Sequence, residues 1–151
     1  MATTRKVPAA TIAEIAGIKR QLHGQWAGKS MVRQPGNEGC DELDLIELTV
    51  LRSLMTELGP EEARIAWSQV RSHLKDRLPI GQFDVVYDSQ RKLAQIASSN
   101  EDVAAAVRHG RPVRVLPMQE LLTANREAFR RALDGVSRKR RPIRDRKQLR
   151  A

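Results

Sequence analysis

The sequence predicts a mainly helical α+β protein, and three observations carry that expectation. Residues 11–78 place apolar side chains at helical spacing between glycine and proline stops. Residues 82–134 alternate short β-like runs with helical ones, as a small α/β module of hairpin, helix, strand and helix would. Only five of the 151 residues are aromatic (Trp26, Trp67, Phe83, Tyr87 and Phe129), so aliphatic packing carries the core, which favours helices. Residues 1–10 read as a flexible arm and residues 135–151 as a basic, disordered tail.

Taken in order, Thr11 reads as an N-cap with Glu14 completing a capping box. Ile12, Ile15 and Ala16 form the buried side of that short helix, and Gly17 supplies a positive-φ corner that ends it. A second helix follows over 19–27, with Leu22 and Trp26 inward and Lys19, Arg20, Gln21, His23 and Gln25 left to a partner. The turn-rich GKSMVRQPGNEG (28–39) predicts a wing-like loop with SMVR as a strand. Asp41 or Asp44 then caps a helix over about 44–58, whose Leu45, Leu48, Leu51, Met55 and Leu58 keep a 3-4-3 apolar spacing. Gly59-Pro60 stops it and starts the next helix, which runs to about Leu78 and buries Ala63, Trp67, Val70 and Leu74.

LPIG (78–81) is the expected domain boundary, because the apolar period changes after it. FDVVYD and LAQIAS read as the strands of a hairpin turned by SQRK. NEDVAAAVRHG reads as a short helix capped by Ser99 or Asn100 and closed by Gly110. RPVRVLP is a third strand with Val113 and Val115 on one face. MQELLTANREAFRRAL is the last helix, burying Leu121, Leu122, Phe129 and Leu133.

Charge is segregated along the chain. The net charge is +9, but residues 1–33 hold six basic residues against one acid, and residues 137–151 eight against one. Residues 34–136 are mildly acidic, with thirteen basic and sixteen acidic residues. Basic ends flanking an acidic middle fit a polyanion binder better than a protein that only needs solubility. The single cysteine, Cys40, permits no internal disulfide and joins no Cys/His cluster, so it reads as a small half-buried side chain in a reducing cytosol. Neither a signal peptide nor a membrane-spanning run is expected, which predicts a cytoplasmic, nucleoid-associated location.

The first half also carries a resemblance. Thr11, Ile12, Glu14 and Ala16, the corner Gly17-Ile18, the aromatic Trp26, the pair Asp44-Leu45 and the closing Leu58-Gly59 stand in the order seen in MerR-like winged helix-turn-helix proteins. DLIELTVLRSLMTELG is similar to the corresponding helix of small bacterial antitoxin and excisionase relatives. The resemblance covers about residues 8–78 and implies a winged helix-turn-helix that binds double-stranded DNA. The acidic loop QPGNEGCDE lacks the arginine-tyrosine pair typical of that wing. A mixed α/β module stands where a sensor of this family has a dimerising coiled coil and a cysteine-bearing effector site, which argues against metal or redox sensing.

The expected function is therefore a sequence-specific transcriptional regulator, a repressor, reading the major groove with helix 19–27. Lys19 and Arg20 suit phosphates or guanine edges, and Gln21 and Gln25 suit adenine. Gly24 lets that face approach the sugar-phosphate wall closely. Arg5, Lys6, Lys29 and Arg33 are expected on the backbone, and Arg138, Lys139, Arg140 and Arg141 along phosphates in a clamp with little sequence preference. Any one of these is better explained as a solvated surface residue; the corner, wing and charge together make the case. Segment 82–134 is expected to join two copies into a homodimer, or to bind a protein partner such as a toxin or a small molecule. Alternatives are an autoregulating antitoxin, an excisionase-like DNA-bending protein, and an RNA- or ribosome-binding protein. No catalytic set, metal site or cofactor is expected: His73 and His109 have no nucleophile motif beside them, and Glu61 and Glu62 suit the first turn of a helix.

Overall fold

The computed structural model describes residues 5–77, 83–107 and 113–140. In these the chain is mainly helical α+β: α1 (Ala9–Ala16), α2 (Arg20–Gly28), α3 (Glu42–Leu58), α4 (Pro60–Val70), a 3-10 turn (Arg71–His73), α5 (Leu74–Arg77), β1 (Asp84–Asp88), β2 (Leu93–Ala97), α6 (Asn100–Val107), β3 (Val113–Leu116) and α7 (Gln119–Arg140). The expected boundary at 78–81 and the closing Gly110 lie outside the described residues.

Residues 5–8 do not form a free arm. Val7 is fully buried and exchanges two backbone hydrogen bonds with Cys40, at 2.8 and 2.7 Å. That bridge carries Pro8 into the start of α1, so Pro8 rather than Thr11 is the N-cap, and its carbonyl accepts from the Ile12 N–H at 3.1 Å. The expected Thr11–Glu14 capping box is therefore not used. Gly17 does end α1 in the left-handed region, at φ 74°, and the Ile18 N–H reaches back to the Ala13 carbonyl at 2.9 Å.

The expected SMVR strand is absent. Ser30 has φ 60°, and the Ser30 and Met31 N–H groups still bond α2 carbonyls, at 3.0 and 2.9 Å. The carbonyls of Met31 and Ser30 accept from Trp67 Nε1 at 2.7 Å and Arg71 Nη1 at 2.9 Å, so side chains take what a strand partner would have taken. Within the loop only an isolated Gly36–Gly39 bridge forms.

Asp41 caps α3 in a reciprocal box, each carboxylate of Asp41 and Asp44 accepting the other's backbone N–H at 2.9 Å. The apolar stripe is wider than the sequence spacing: Ile46, Val50 and Leu54 are buried with Leu45, Leu48 and Leu51, while Met55 and Leu58 are half-buried. α3 is the central helix, with α1, α4 and α7 packed around it. Gly59-Pro60 starts α4 as expected, but α4 gives way after Val70 to the 3-10 turn instead of running on unbroken. Ser68 Oγ donates to the Ile65 carbonyl at 2.7 Å, a back-bond of the kind that bends helices.

β1 and β2 form the expected hairpin, β3 pairs antiparallel on the other side, and the order is β2-β1-β3. β1 is central, and four of its five residues are buried. At α6, Ser99 Oγ accepts from the Asp102 N–H at 3.2 Å. Arg114 on β3 holds the end of α3 through the Glu57 carbonyl at 2.8 Å. Asp84, from β1, accepts the Met118 N–H at 2.9 Å and the Gln119 N–H at 3.4 Å, so it caps α7 across the fold. On α7, Leu122 and Phe129 are buried and Leu133 half-buried, but Leu121 is 38% exposed, contrary to expectation. The inward place is taken by Asn125, whose Nδ2 donates to Thr49 Oγ1 at 2.9 Å. One apolar cluster runs from Val7 and Ile12 through α3 and α4 to Tyr87, Leu122 and Phe129, so both halves of the chain share it. α7 also continues past Gly135 to Arg140; the first residues of the expected disordered tail are helical, and 141–151 lie outside the described residues.

Candidate nucleic-acid interface

α2 has two unlike sides. His23, Trp26 and Ala27, at i, i+3 and i+4, are buried, and Leu22 is half-buried beside them. Arg20, Gln21, Gly24 and Gln25 are exposed, as are Lys19 before the helix and Lys29 after it. The N-terminus of α2 has no side-chain cap and no acid in its first turn. Its orphan N–H groups and the positive end of the helix dipole therefore stand beside Lys19 and Arg20.

His23 is a correction. It is 1% exposed, and its Nδ1 has no hydrogen-bond partner. Burial, and then the charge of Arg20, hold its pKa below the ordinary histidine value. Its polarity counted it with the exposed face, whereas its place one turn before Trp26 and Ala27 turns it inward.

Arg33 is exposed but engaged. Its Nε donates to Asp44 at 2.9 Å and its Nη2 to Asp41 at 2.8 Å. Burial disfavours its charge, yet Asp44 and Asp41 outweigh that and raise its pKa. Asp41 is likewise desolvated, but the Asp44 N–H and the Arg33 charge bring its pKa below the ordinary carboxylate range. Arg33 therefore braces the cap of α3 and is not a free cation for a phosphate. Lys6 and Arg5 are exposed; Lys6 Nζ lies 4.0 Å from Glu38, an ion pair too open to hold it. Arg138, Lys139 and Arg140 stand in the last turn of α7, and Arg141 lies outside the described residues. Cys40 is 1% exposed, more buried than expected, and burial pushes its thiol up to about 11, which suits packing and not reactivity.

Arg52, which no sequence pattern singles out, joins this surface. Its guanidinium carbon lies 3.3 Å from where a Cβ on Gly17 would be, so the planar head covers the α1–α2 corner. With Lys19, Gln21 and Gln25, and with Thr56 one turn further along α3, it lines a groove of about 510 Å³ beside α2. Only the packing of α3 against α1 shows this: in sequence Arg52 is one more polar residue on an amphipathic helix.

Among the described residues no group of His, Cys, Asp and Glu is placed to hold a metal ion, and no helix is long and apolar enough to cross a membrane. In comparisons with known proteins, the chain matches no protein-family model and no curated protein.

Proposed function

We propose that the protein is a sequence-specific double-stranded DNA-binding transcriptional repressor that inserts α2 into the major groove. One observation carries this reading: the exposed side of α2 presents Arg20, Gln21 and Gln25 together while Trp26 and Ala27 fix the helix from behind. A rigid helix with its amides and guanidinium outward matches the donor and acceptor edges of adenine and guanine, each good pairing being worth about 1–3 kcal/mol of discrimination. The uncapped N-terminus of α2, with Lys19 and Arg52 beside it, suits a backbone phosphate. Two copies joined through the C-terminal segment would read a repeated or palindromic site.

Gel-shift binding against genomic fragments tests the roles. Arg20→Ala is expected to flatten the preference among fragments. Ending the chain at Gly135 is expected to weaken every duplex alike and to lower the salt slope by about 0.9 for each phosphate that is no longer neutralised. If both variants behave identically on all fragments, α2 is not the reading element.

A further inference from the structure

We propose that the groove between the C-terminal exit of α2 and the outer side of α4 binds a small organic anion: a compact apolar body carrying a phosphate or carboxylate. The groove is open to solvent on one side and offers about 760 Å³. Small-molecule clefts run from roughly 300 to 1,000 Å³. Met31, Leu43 and Trp67 supply its apolar walls. Four cations line it (Lys29, Arg64, Arg71 and Lys75) against one carboxylate, Glu47.

That carboxylate is buried beside Arg71, although its Oε2 accepts no hydrogen bond. Glu47 is 5% exposed, with Arg71 Nε 3.7 Å from its Oε2, too far for a hydrogen bond but close enough for charge to act. Burial raises the Glu47 pKa, which further weakens any claim it has on a cationic ligand. Lys29, Arg64 and Lys75 are exposed and, among the described residues, pair with no carboxylate. The local field is thus positive, over an apolar floor, in a concave space. An anion alone would use the rim and leave the floor wet; an apolar solute alone would leave the cations unanswered. A molecule with both parts uses both.

The site does not depend on α2 reading DNA. Its wall is nevertheless the segment that carries the end of α2, because Trp67 and Arg71 hold the Met31 and Ser30 carbonyls there.

Phenyl phosphate is the probe, titrated calorimetrically into the full chain, with inorganic phosphate and phenol as controls that each carry one of its two parts. Phenyl phosphate is expected to bind at least about tenfold tighter than either control, the difference that about 1.4 kcal/mol represents. The Trp67 indole N–H resonance should shift on addition. Arg64→Gln combined with Lys75→Gln should weaken phenyl phosphate about tenfold while leaving the urea midpoint in place. Arg130→Gln, on the exposed side of α7 and outside both grooves, should leave phenyl phosphate binding alone. Phenyl phosphate binding no better than inorganic phosphate overturns the proposal, as does a double variant that binds it normally. If the double variant loses affinity for duplex DNA while phenyl phosphate never binds, the four cations are a backbone surface and the proposal fails.

Discussion

Gly24→Ala separates what stabilises α2 from what α2 is for. Gly24 lies inside the helix, exposed, and a Cβ built on it meets nothing within 4 Å. Its φ is not in the positive range that would strain an L side chain. Alanine should therefore stabilise the fold by about 0.5–1 kcal/mol, since glycine in a helix interior gives up more backbone entropy on folding and has no side chain to pack. A structural helix would lose nothing by the change. A helix lying in a DNA groove would, because the methyl stands on the side meant to approach the sugar-phosphate wall. Displacing one base or phosphate interaction worth about 1–3 kcal/mol should cost roughly tenfold or more in affinity. Urea denaturation measures the first effect, and fluorescence anisotropy on a duplex chosen from the gel-shift fragments measures the second. A variant that gains stability and binds that duplex as well as the parent would mean that α2 does not dock there. A loss of stability would refute the reasoning about the helix itself.

Gly39→Ala should do the opposite. At φ 109° its Cβ would stand 2.1 Å from the Val7 carbonyl oxygen and 2.7 Å from the carbonyl carbon, both backbone atoms. Two bridge hydrogen bonds at about 1 kcal/mol each, with about 1 kcal/mol of left-handed strain, predict a loss near 3 kcal/mol. Fast amide exchange at Val7 and Cys40 should accompany the lower urea midpoint, and retained protection there would refute the account. His23 carries a pH dependence. Its folded pKa lies below its ordinary 6.5, so the unfolded chain takes the proton first. The stability it supports is whole above that value and erodes as pH falls through it. His23→Leu should flatten urea midpoints between pH of about 7.5 and 5.5, and equal acid losses in both proteins would show that another group titrates. Asn125→Ala should cost about 1–3 kcal/mol by opening the buried α3–α7 seam. In a cycle with Thr49→Val the two losses should overlap by at least about 0.5 kcal/mol; strict additivity would mean the bond contributes nothing.

Local signals were legible where the cause of the structure is local. Gly17 in the left-handed corner, the Asp41 cap, the Gly59-Pro60 junction and the β1–β2 hairpin all follow from backbone freedom, short-range hydrogen bonding or alternation within a few residues. The exposed polar face of α2 was legible for the same reason, since helical periodicity alone turns Arg20, Gln21 and Gln25 away from Trp26. His23 shows where that reasoning stops. Polarity suggested that it faces out, but its position one turn before Trp26 and Ala27 puts it inside.

Residue order was enough to say which segments are mostly helix or strand, where most of them stop, and which side of α2 faces water. Those outcomes depend on neighbours within about one turn of chain. Packing had to decide that Val7 bridges Cys40 instead of waving free, that Arg33 braces Asp41 and Asp44 instead of waiting for phosphate, and that Asp84 caps α7 from another element. Packing also brought Arg52 over Gly17 and shaped an open groove lined by Lys29 and Lys75. Each of these joins groups whose pairing depends on how whole elements meet, and no local pattern records that meeting.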